Sequence, residues 1–302
     1  MPRNRPSRTA LSVAHTVAFL SREPEIAALL PPGLAQDNER LLRASGLLRG
    51  RRLRRLDSPR FRRFFYYLDS LAANGQLLFV GLRKRLVDDE AAAAIAAGCR
   101  QLLVLGAGLD LLALRVARAH PHVRCIEVDH PASLARKRDA IAHLGPLPPN
   151  LELVAADLST ADLAAALNGV AAWDPSAPSF VAAEAVFMYL DRTAVERVLH
   201  QLHDRCGAGS TLLFSYIRRD ERGRLLLGKR PRLAALSLAA SGEPLRWSAA
   251  GGELAPLLLA SGWRLETERI DLRARYLKDG LERRPLADVE VYARALRLTD
   301  GE

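Results

Sequence analysis

The residues best suited to chemistry lie between Gln101 and Pro131, where one apolar run enters a Gly-Ala-Gly turn and a second run ends in an acid. Gly106 and Gly108 carry no side chain, so the backbone there can bend sharply and approach a ligand closely. The helix expected next offers unpaired N–H groups in its first turn. Asp129 follows at the interval where a carboxylate meets ribose hydroxyls in dinucleotide folds. The pattern predicts a nucleoside-bearing ligand at the carboxyl edge of a parallel sheet.

Two residues beside the turn help to distinguish the candidate ligands. Leu111 occupies the position of the third glycine in G-x-G-x-x-G, where it would obstruct close packing beside a pyrophosphate. Asp110 places an anion where the pyrophosphate would lie. S-adenosylmethionine has no phosphates, and its amino-acid end carries a cation that tolerates an acid. We therefore favour S-adenosylmethionine over a dinucleotide.

Five short segments occur in an order that is typical of one protein family. They are RKRLVD (Arg83 to Asp88), LGAGLD (Leu105 to Asp110), EVDHP (Glu127 to Pro131), ADL (Ala156 to Leu158) and AEAVFMYL (Ala183 to Leu190). Together they resemble the leucine carboxyl methyltransferase family and its bacterial relatives, which include polyketide O-methyltransferases. The resemblance implies a class I, Rossmann-like methyltransferase fold with S-adenosyl-L-methionine as cofactor.

The resemblance also implies roles for individual residues around the methyl donor. Arg83 would bind the donor's carboxylate, Asp129 its ribose hydroxyls, and Glu184 would lie near its amino group. Asp157 would accept from the adenine amine while Leu158 packs on the ring. The full set of expected cofactor residues is Arg83, Gly106, Ala107, Gly108, Asp129, His130, Asp157, Leu158 and Glu184.

Several of these roles have structural alternatives. Arg83 belongs to a charge run that surface solvation would explain, Asp157 is a possible helix N-cap, and Glu184 is a possible partner in a structural ion pair. For the methyl acceptor we expect Met188, Tyr189 and Tyr216 to line the cavity, with core packing as the alternative.

One departure from the family pattern follows the glycine turn. Family members commonly carry Thr-Arg after the aspartate of LGAGLD, whereas this chain has Leu111 and Leu112. We expect the contribution of that polar pair to be absent or replaced. Arg115 remains in the predicted helix, within reach of Asp110 or a neighbouring acid.

The leading functional hypothesis is an O-methyltransferase that acts on a carboxylate or hydroxyl of a small molecule, such as a polyketide-like or other secondary metabolite. Alignment of acceptor, methyl carbon and sulfur supplies much of the acceleration in such a transfer, and no catalytic residue is assigned. A protein C-terminal carboxylate or a modified tRNA base remains an alternative acceptor. A non-catalytic module that binds S-adenosylmethionine is the other alternative.

The order of apolar runs predicts an α/β fold with a doubly wound, mostly parallel seven-stranded sheet. The expected strands are Gln101 to Leu105, Val123 to Val128, Leu151 to Ala155, Ser179 to Ala183, Thr211 to Tyr216, Trp263 to Ile270 and Val289 to Leu296. We assign residues 1–98 to an N-terminal helical cap and substrate region. Residues 99–302 form the methyltransferase core, with 218–250 as a lid-like, partly helical insertion after the fifth strand.

Within the cap, helical spacing recurs between breaks at proline, glycine and charged residues. The expected helices are Thr9 to Leu30, Asn38 to Leu48, one or two helices in Phe61 to Leu86 that end near Asp88, and Asp89 to Gly98.

The formal net charge of +10 raises nucleic acid as a partner, although arginine is spread through all 302 residues. The densest cluster, Gly50 to Leu68, mixes arginine with aromatic residues. A helix there would place Phe61, Phe64, Phe65 and Leu68 on one face. We predict a buried stripe beneath a charged surface, ahead of contact with RNA or with an acidic partner. The role of the Arg-rich segment 49–63 stays open.

Cellular context follows from what the sequence lacks. No apolar stretch approaches the length of a membrane span, and the segment MPRNRPSR has no signal-peptide core. Cys99, Cys125 and Cys206 show no C-x-x-C spacing and are expected to be small apolar fillers, with no metal site. We expect a cytoplasmic protein with a small-molecule acceptor and no membrane partner. Oligomeric state stays open.

Overall fold

A seven-stranded mixed sheet forms the centre of the computed structural model, which describes residues 8–72, 74–170, 173–227 and 244–299. Its strands are β1 (Gln101–Leu105), β2 (Arg124–Asp129), β3 (Leu151–Ala155), β4 (Ser179–Ala183), β5 (Thr211–Ile217), β6 (Trp263–Thr267) and β7 (Glu290–Arg297). They lie in the order β3-β2-β1-β4-β5-β7-β6. The first five are parallel, and β7 runs antiparallel to both β5 and β6. The predicted fold class is confirmed, with every predicted strand present.

The strand order reverses at β1, which has β2 on one side and β4 on the other. Connections leave toward opposite faces at such a point, so a crevice opens at the carboxyl ends of the strands. Every residue of β1 and β4 is buried, because helices cover both faces of the sheet. The continuous apolar runs of these strands follow from that double coverage.

Helices on the two faces enclose two separate apolar cores. The core helices are α7 (Leu112–Ala119), α8 (Pro131–Ala142), α9 (Leu163–Asn168), α10 (Arg192–Arg205), α11 (Leu254–Ala260) and α12 (Leu272–Tyr276). Leu102 and Val104 of β1 join one core, whereas Leu103 and Leu105 join the other, because side chains alternate along a strand.

In the described part of the chain, six helices precede the sheet and pack mainly on one of its faces. They are α1 (Arg8–Leu20), α2 (Pro24–Ala27), α3 (Leu34–Ala44), α4 (Arg51–Asp57), α5 (Pro59–Ala72) and α6 (Gln76–Ala96). Residues of α1, α3 and α6 share an apolar core with α7 and α8. The helical nature of the segment agrees with the sequence pattern. The division into a cap and a core at residue 98 stays a prediction.

Several predicted helix boundaries were wrong. The expected helix Thr9 to Leu30 is divided, because Pro24 cannot continue an α-helix and opens α2 instead. The break expected near Asp88 is absent, and α6 runs unbroken for 21 residues. Asp88 lies within this helix, and its side chain pairs with Arg115 at 2.5 Å. The actual break is at Asn74 and Gly75, both of which have positive φ.

The predicted buried stripe on α5 was also wrong. Phe64, Phe65 and Leu68 are exposed by 58%, 41% and 40%. The inward side of α5 instead carries Tyr66, whose ring lies 5.1 Å from that of Phe19, and Arg62. Arg62 pairs with Glu23 at 2.5 Å and donates to the carbonyl of Leu56. Periodicity shows that an apolar face exists, whereas the neighbouring helices decide which face is covered.

The segment predicted as a lid is described only at its two ends. Residues 218–227 and 244–250 contain short bridges that join Arg218 to Ala249 and Arg219 to Leu225. The helical part expected between them falls on residues 228–243, which lie outside the described residues. The long connection Asp271 to Leu286 contains α12. No helix in the described ranges is long and apolar enough to cross a membrane.

Candidate cofactor-binding site

A cavity at the carboxyl ends of β1, β2 and β4 brings all nine predicted cofactor residues together. Its lining includes Arg83, Gly106, Ala107, Gly108, Asp129, His130, Asp157, Leu158 and Glu184. Helix α1 closes one side of the cavity with Thr9, Ala10 and Val13. Segments that are far apart in sequence therefore converge at the crevice that the strand order creates.

The glycine turn is crowded on both sides. Gly106 and Gly108 have φ values of +60° and +54°, which side-chain-bearing residues rarely adopt. A Cβ on Gly106 would lie 2.5 Å from Cγ2 of Val186, and one on Gly108 would lie 2.8 Å from Cβ of Ala10. The glycines thus allow the turn to lie close to the β4 loop and to α1, and they leave the cavity wall free of side chains.

Asp129 ends β2 with its carboxylate fixed by the backbone. One oxygen accepts from the N–H of Gly108 and the other from the N–H of His130, both at 2.6 Å. Burial raises the pKa of Asp129, although these two bonds oppose the shift. Each carboxylate oxygen retains further acceptor capacity. The group is therefore held in place and can still accept from ligand hydroxyls.

His130 has a structural task of its own. Its Nδ1 accepts from the N–H of Ala132 at 3.2 Å, which caps the start of α8. The ring lines the cavity from this fixed position. An accepting Nδ1 implies that Nε2 carries the proton in the neutral ring.

Asp157 and Leu158 follow β3. The Asp157 carboxylate accepts from the N–H of Ser159 at 3.0 Å and from its hydroxyl at 2.6 Å. Burial acts to raise the pKa of Asp157, but the bonds from Ser159 outweigh it and the pKa is lowered. The N-cap of the next helix, α9, is Asp162, whose side chain accepts from Ala165. Asp157 is thus left facing the cavity as a preset carboxylate.

Five charged side chains form a cluster, four of which also line the cavity. Arg83 lies 3.0 Å from Glu184 and 2.8 Å from Glu290, and Lys84 lies 2.8 Å from Glu184. Lys84 also pairs with Asp110. Their side chains are only 5–15% exposed. Three carboxylates face two cations, so the fully ionised cluster has one net negative charge.

Lys84 sets the charge state of Asp110. Burial acts to raise the pKa of Asp110, but the Lys84 ammonium outweighs it and lowers the pKa to about 2. Burial acts to lower the pKa of Lys84, yet Asp110 and Glu184 raise it overall. Both groups stay charged at neutral pH because each stabilises the other's ion.

The structure also accounts for the polar pair missing after Asp110. The Asp110 carboxylate accepts from the N–H of Leu112 at 2.6 Å and pairs with Lys84. The backbone carbonyl of Asp110 accepts from Lys137 at 2.5 Å, and Lys137 pairs with buried Glu127. Lysines from α6 and α8 thus anchor the start of α7. Arg115 does not reach Asp110 and pairs with Asp88 instead.

The backbone after Glu184 is held in an uncommon conformation. Ala185 has a φ of +54°, and its N–H donates to Oγ of Ser215 on β5 at 2.7 Å. A positive φ outside glycine persists only where neighbouring contacts fix it. Glu184 therefore enters the cavity from a strained turn that β5 supports.

The structure places one of the three residues predicted for the acceptor in the wall of this cavity. Tyr189 lines the cavity, but Met188 and Tyr216 do not. Met188 packs with Ile217 and Leu227, because the short helix Phe187–Tyr189 turns it toward β5. Tyr216 is buried beside Trp247, whose ring lies 6.2 Å away. Both side chains are core residues.

Sequence reasoning missed several lining residues. Lys84 adjoins Arg83 in the RKRLVD segment, which was the available signal. Most lining residues of α1 belong to the segment TALSVA (Thr9 to Ala14), which resembles the family more weakly than the five motifs and gave no indication that α1 covers the turn. Arg246 also lines the cavity, and its N–H donates to the carbonyl of Met188. Within the described ranges no cluster of three or more His, Cys, Asp or Glu side chains is suited to a metal ion.

A sequence model of the leucine carboxyl methyltransferase family matches residues 31–203, more than half of the chain. The chain belongs to this family. It is 31% identical over 224 residues to a protein from Mycobacterium avium described as a candidate S-adenosyl-L-methionine-dependent methyltransferase, covering 69% of this chain and 67% of that one. A similarly described protein from Mycolicibacterium smegmatis is 37% identical over 147 residues, 47% of each chain. The chain thus spans about half the length of one relative and two thirds of the other.

Solved structures support the fold. The crystal structure of a DUF574 family protein from Streptomyces avermitilis superposes with a TM-score of 0.57 at 16% identity, covering 79% of this chain and 91% of that one. S-adenosylmethionine is the cofactor that the family assigns to this chain. The cavity fits it, because the glycine turn leaves a side-chain-free cradle and Asp129 presents a fixed carboxylate.

Proposed function

We propose that this protein is an S-adenosylmethionine-dependent O-methyltransferase that acts on a carboxylate or hydroxyl of a small molecule. The observation that carries the proposal is that two kinds of recognition group line one cavity. Asp129 and Asp157 provide carboxylates, while Arg83, Lys84 and Glu184 provide side chains of both charges. S-adenosylmethionine is a nucleoside joined to a zwitterionic amino acid, and it needs both.

In this proposal each end of the cofactor meets a fixed partner. Asp129 accepts from the ribose hydroxyls, Asp157 accepts from the adenine amine, and Leu158 packs on the ring. At the amino-acid end, Arg83 and Lys84 bind the carboxylate while Glu184 accepts from the ammonium. The single net negative charge of the cluster complements the positive charge of the sulfonium.

The bound cofactor would supply an activated methyl group on sulfur. The contribution of the chain is to hold cofactor and acceptor in line and to exclude water, which can provide much of the rate acceleration. The acceptor side of the cavity includes Tyr189, Leu190 and Arg246. Arg246 is suited to orient a carboxylate acceptor, which is already ionised at neutral pH and needs no base.

The proposal is tested by calorimetric titration of S-adenosylmethionine into Asp129→Ala and Glu184→Gln variants. We expect each dissociation constant to rise about 100-fold, because each change removes charged hydrogen bonds to the cofactor. Asp139→Ala is the matched control, since Asp139 is an exposed acid on α8 and should leave affinity unchanged. Unfolding midpoints of all variants show whether the fold is retained. Unchanged affinity in the folded variants contradicts the assigned roles.

Activity is tested separately with a panel of carboxylate and hydroxyl acceptors and a radiolabelled methyl group. Transfer to a small molecule supports the proposal. Transfer only to a protein carboxyl terminus or to tRNA would replace the acceptor class. Tight cofactor binding without transfer to any acceptor would favour a non-catalytic binding module.

A further inference from the structure

Helix α5 presents an outward face that combines arginine with large apolar side chains. The residues of this outer face are Arg60, Arg63, Phe64, Tyr67, Leu68 and Leu71. Their spacing of three or four residues places them on one side of the helix. All six are exposed. The helix therefore shows solvent a surface that helices in compact proteins usually bury.

The apolar exposure of the chain is concentrated on this helix. Phe64, Tyr67 and Leu71 are exposed by 58%, 60% and 59%. Among the described residues, eight large apolar side chains are strongly exposed, and five of them lie in α5. The other three are isolated on different elements. A contiguous apolar group of this kind marks an interaction site, whereas single exposed leucines do not.

The charge beside this face is positive and uncompensated. Arg51, Arg54 and Arg55 of α4 are exposed, and α4 packs against α5 with the Arg55 guanidinium 6.0 Å from the ring of Phe61. Of the ion pairs between described residues, none includes these three arginines or Arg60 and Arg63 of the outer face. The acidic side chains nearby are engaged elsewhere, and Glu23 pairs with Arg62 on the inward side of α5. Asp57 pairs with Arg22, and Asp69 accepts from the N–H of Leu77.

A partner that complements this surface must therefore be both anionic and apolar. A second copy of this chain would bring two arginine clusters together. Single-stranded RNA would stack on Phe64 and Tyr67, but Leu68 and Leu71 offer no ring for a base to stack on. An anionic lipid surface satisfies both features, because aromatic and leucine side chains enter the acyl boundary while arginines meet lipid phosphates.

We propose that the outer face of α5, with the adjoining arginines of α4, attaches the protein peripherally to an anionic membrane surface. This mode needs no membrane-spanning helix, since an interfacial helix lies in the headgroup plane. The inference does not depend on the proposed methyltransferase activity. It gives a role to exposed arginines of the segment 49–63, and it departs from our expectation that the protein has no membrane partner.

The test is co-sedimentation of the full chain with vesicles of phosphatidylcholine alone or of phosphatidylcholine with about 30% phosphatidylglycerol. We expect binding to the anionic vesicles only, and weaker binding as salt rises. Phe64→Ser with Leu71→Ser should reduce the partition constant more than tenfold. Arg60→Glu with Arg63→Glu should do the same. Binding to neither vesicle overturns the proposal.

Matched controls separate this face from general charge attraction. Leu147→Ser with Leu259→Ser removes two exposed leucines elsewhere, and Arg100→Glu with Arg136→Glu removes two exposed arginines elsewhere. Both control variants should keep at least half of the wild-type partition constant. Equal loss in the controls overturns the proposal, because any patch of the basic protein would then suffice.

Two further measurements test the alternative partners, a second copy of this chain and single-stranded RNA. Gel filtration of the wild type and of the Phe64→Ser, Leu71→Ser variant reports self-association. A dimer that dissociates in this variant, together with no vesicle binding, assigns the face to a second copy. Fluorescence anisotropy with a labelled oligouridine reports RNA binding. RNA binding that depends on the same residues, without vesicle binding, assigns the face to RNA.

Discussion

Two arginine-rich segments of this chain have opposite structural fates. Arg83 and Lys84 are buried between Glu184, Glu290 and Asp110. By contrast, five exposed arginines form no ion pair with any described residue: Arg51, Arg54 and Arg55 of α4, and Arg60 and Arg63 of α5. Both segments read as runs of positive charge. The difference shows that acidic side chains from other parts of the fold decide whether a basic segment is buried in ion pairs or stays exposed.

The largest expected effect comes from removing one cation of the buried cluster. Lys84→Met should lower the free energy of unfolding by about 3–5 kcal/mol, because Asp110 and Glu184 would keep buried charge without their partner. Arg85→Met is the adjacent control. Its pair with Asp89 is about 30% exposed, and its loss should cost about 0.5 kcal/mol or less. Urea denaturation of both variants measures the two losses in the free energy of unfolding.

The next largest expected effect is steric, and it compares one glycine from each of the two regions. Gly108 and Gly50, which precedes α4, have φ values of +54° and +51°, but only Gly108 has a neighbour within contact distance. Gly108→Ala should destabilise by about 2–3 kcal/mol through strain and collision with Ala10. Gly50→Ala should cost about 1–2 kcal/mol from strain alone. Partial rescue of Gly108→Ala by Ala10→Gly identifies the collision, and equal losses in both single variants would contradict it.

The third prediction concerns the pH dependence of cofactor binding. Burial raises the pKa of Asp129, and its ionised carboxylate accepts from ribose hydroxyls more strongly than the protonated acid does. Affinity should be complete above that raised pKa and fall by up to tenfold for each pH unit below it. The decline should therefore begin at a higher pH than an ordinary aspartate would produce. Calorimetry across this range checks it, and Asp129→Asn should bind weakly with that pH dependence removed.

The smallest effect is expected on the outer surface. Arg60→Met and Arg63→Met should each change the free energy of unfolding by about 0.5 kcal/mol or less, because neither side chain has an ion pair. Thermal denaturation provides the measurement. A loss comparable to that of Lys84→Met would remove the contrast between the two regions.

The sheet was largely predictable from the sequence because parallel strands buried on both faces read as continuous apolar runs. The predicted β1, β3 and β4 agree with the observed bounds, and β2 differs by one residue at each end. The orientation of α5 was not predictable. Its aromatic spacing indicates an amphipathic helix, but the contacts of Tyr66 and Arg62 with distant segments decide which face points inward.

The candidate site was likewise predictable from the sequence only in part. Sequence spacing was enough to predict Gly106, Gly108 and Asp129 as site residues, because all three belong to local segments of one strand-turn-helix-strand unit. The partners of Arg83 were not, since Glu290 is 207 residues away and reaches it only through the pairing of β7 with β5. Lys84 illustrates the same limit, because its importance appears only when Asp110 and Glu184 are brought beside it.

The position of Glu290 at the start of β7 has a consequence for biosynthesis. Arg83 emerges from the ribosome long before this carboxylate is made, and β7 must still insert between β5 and β6 to deliver it. Until translation reaches that strand, a nascent chain holds an arginine with half of its anionic partners missing. Completion of the buried charge cluster is therefore a late event, because it waits for a strand that is translated after the other six strands of the sheet.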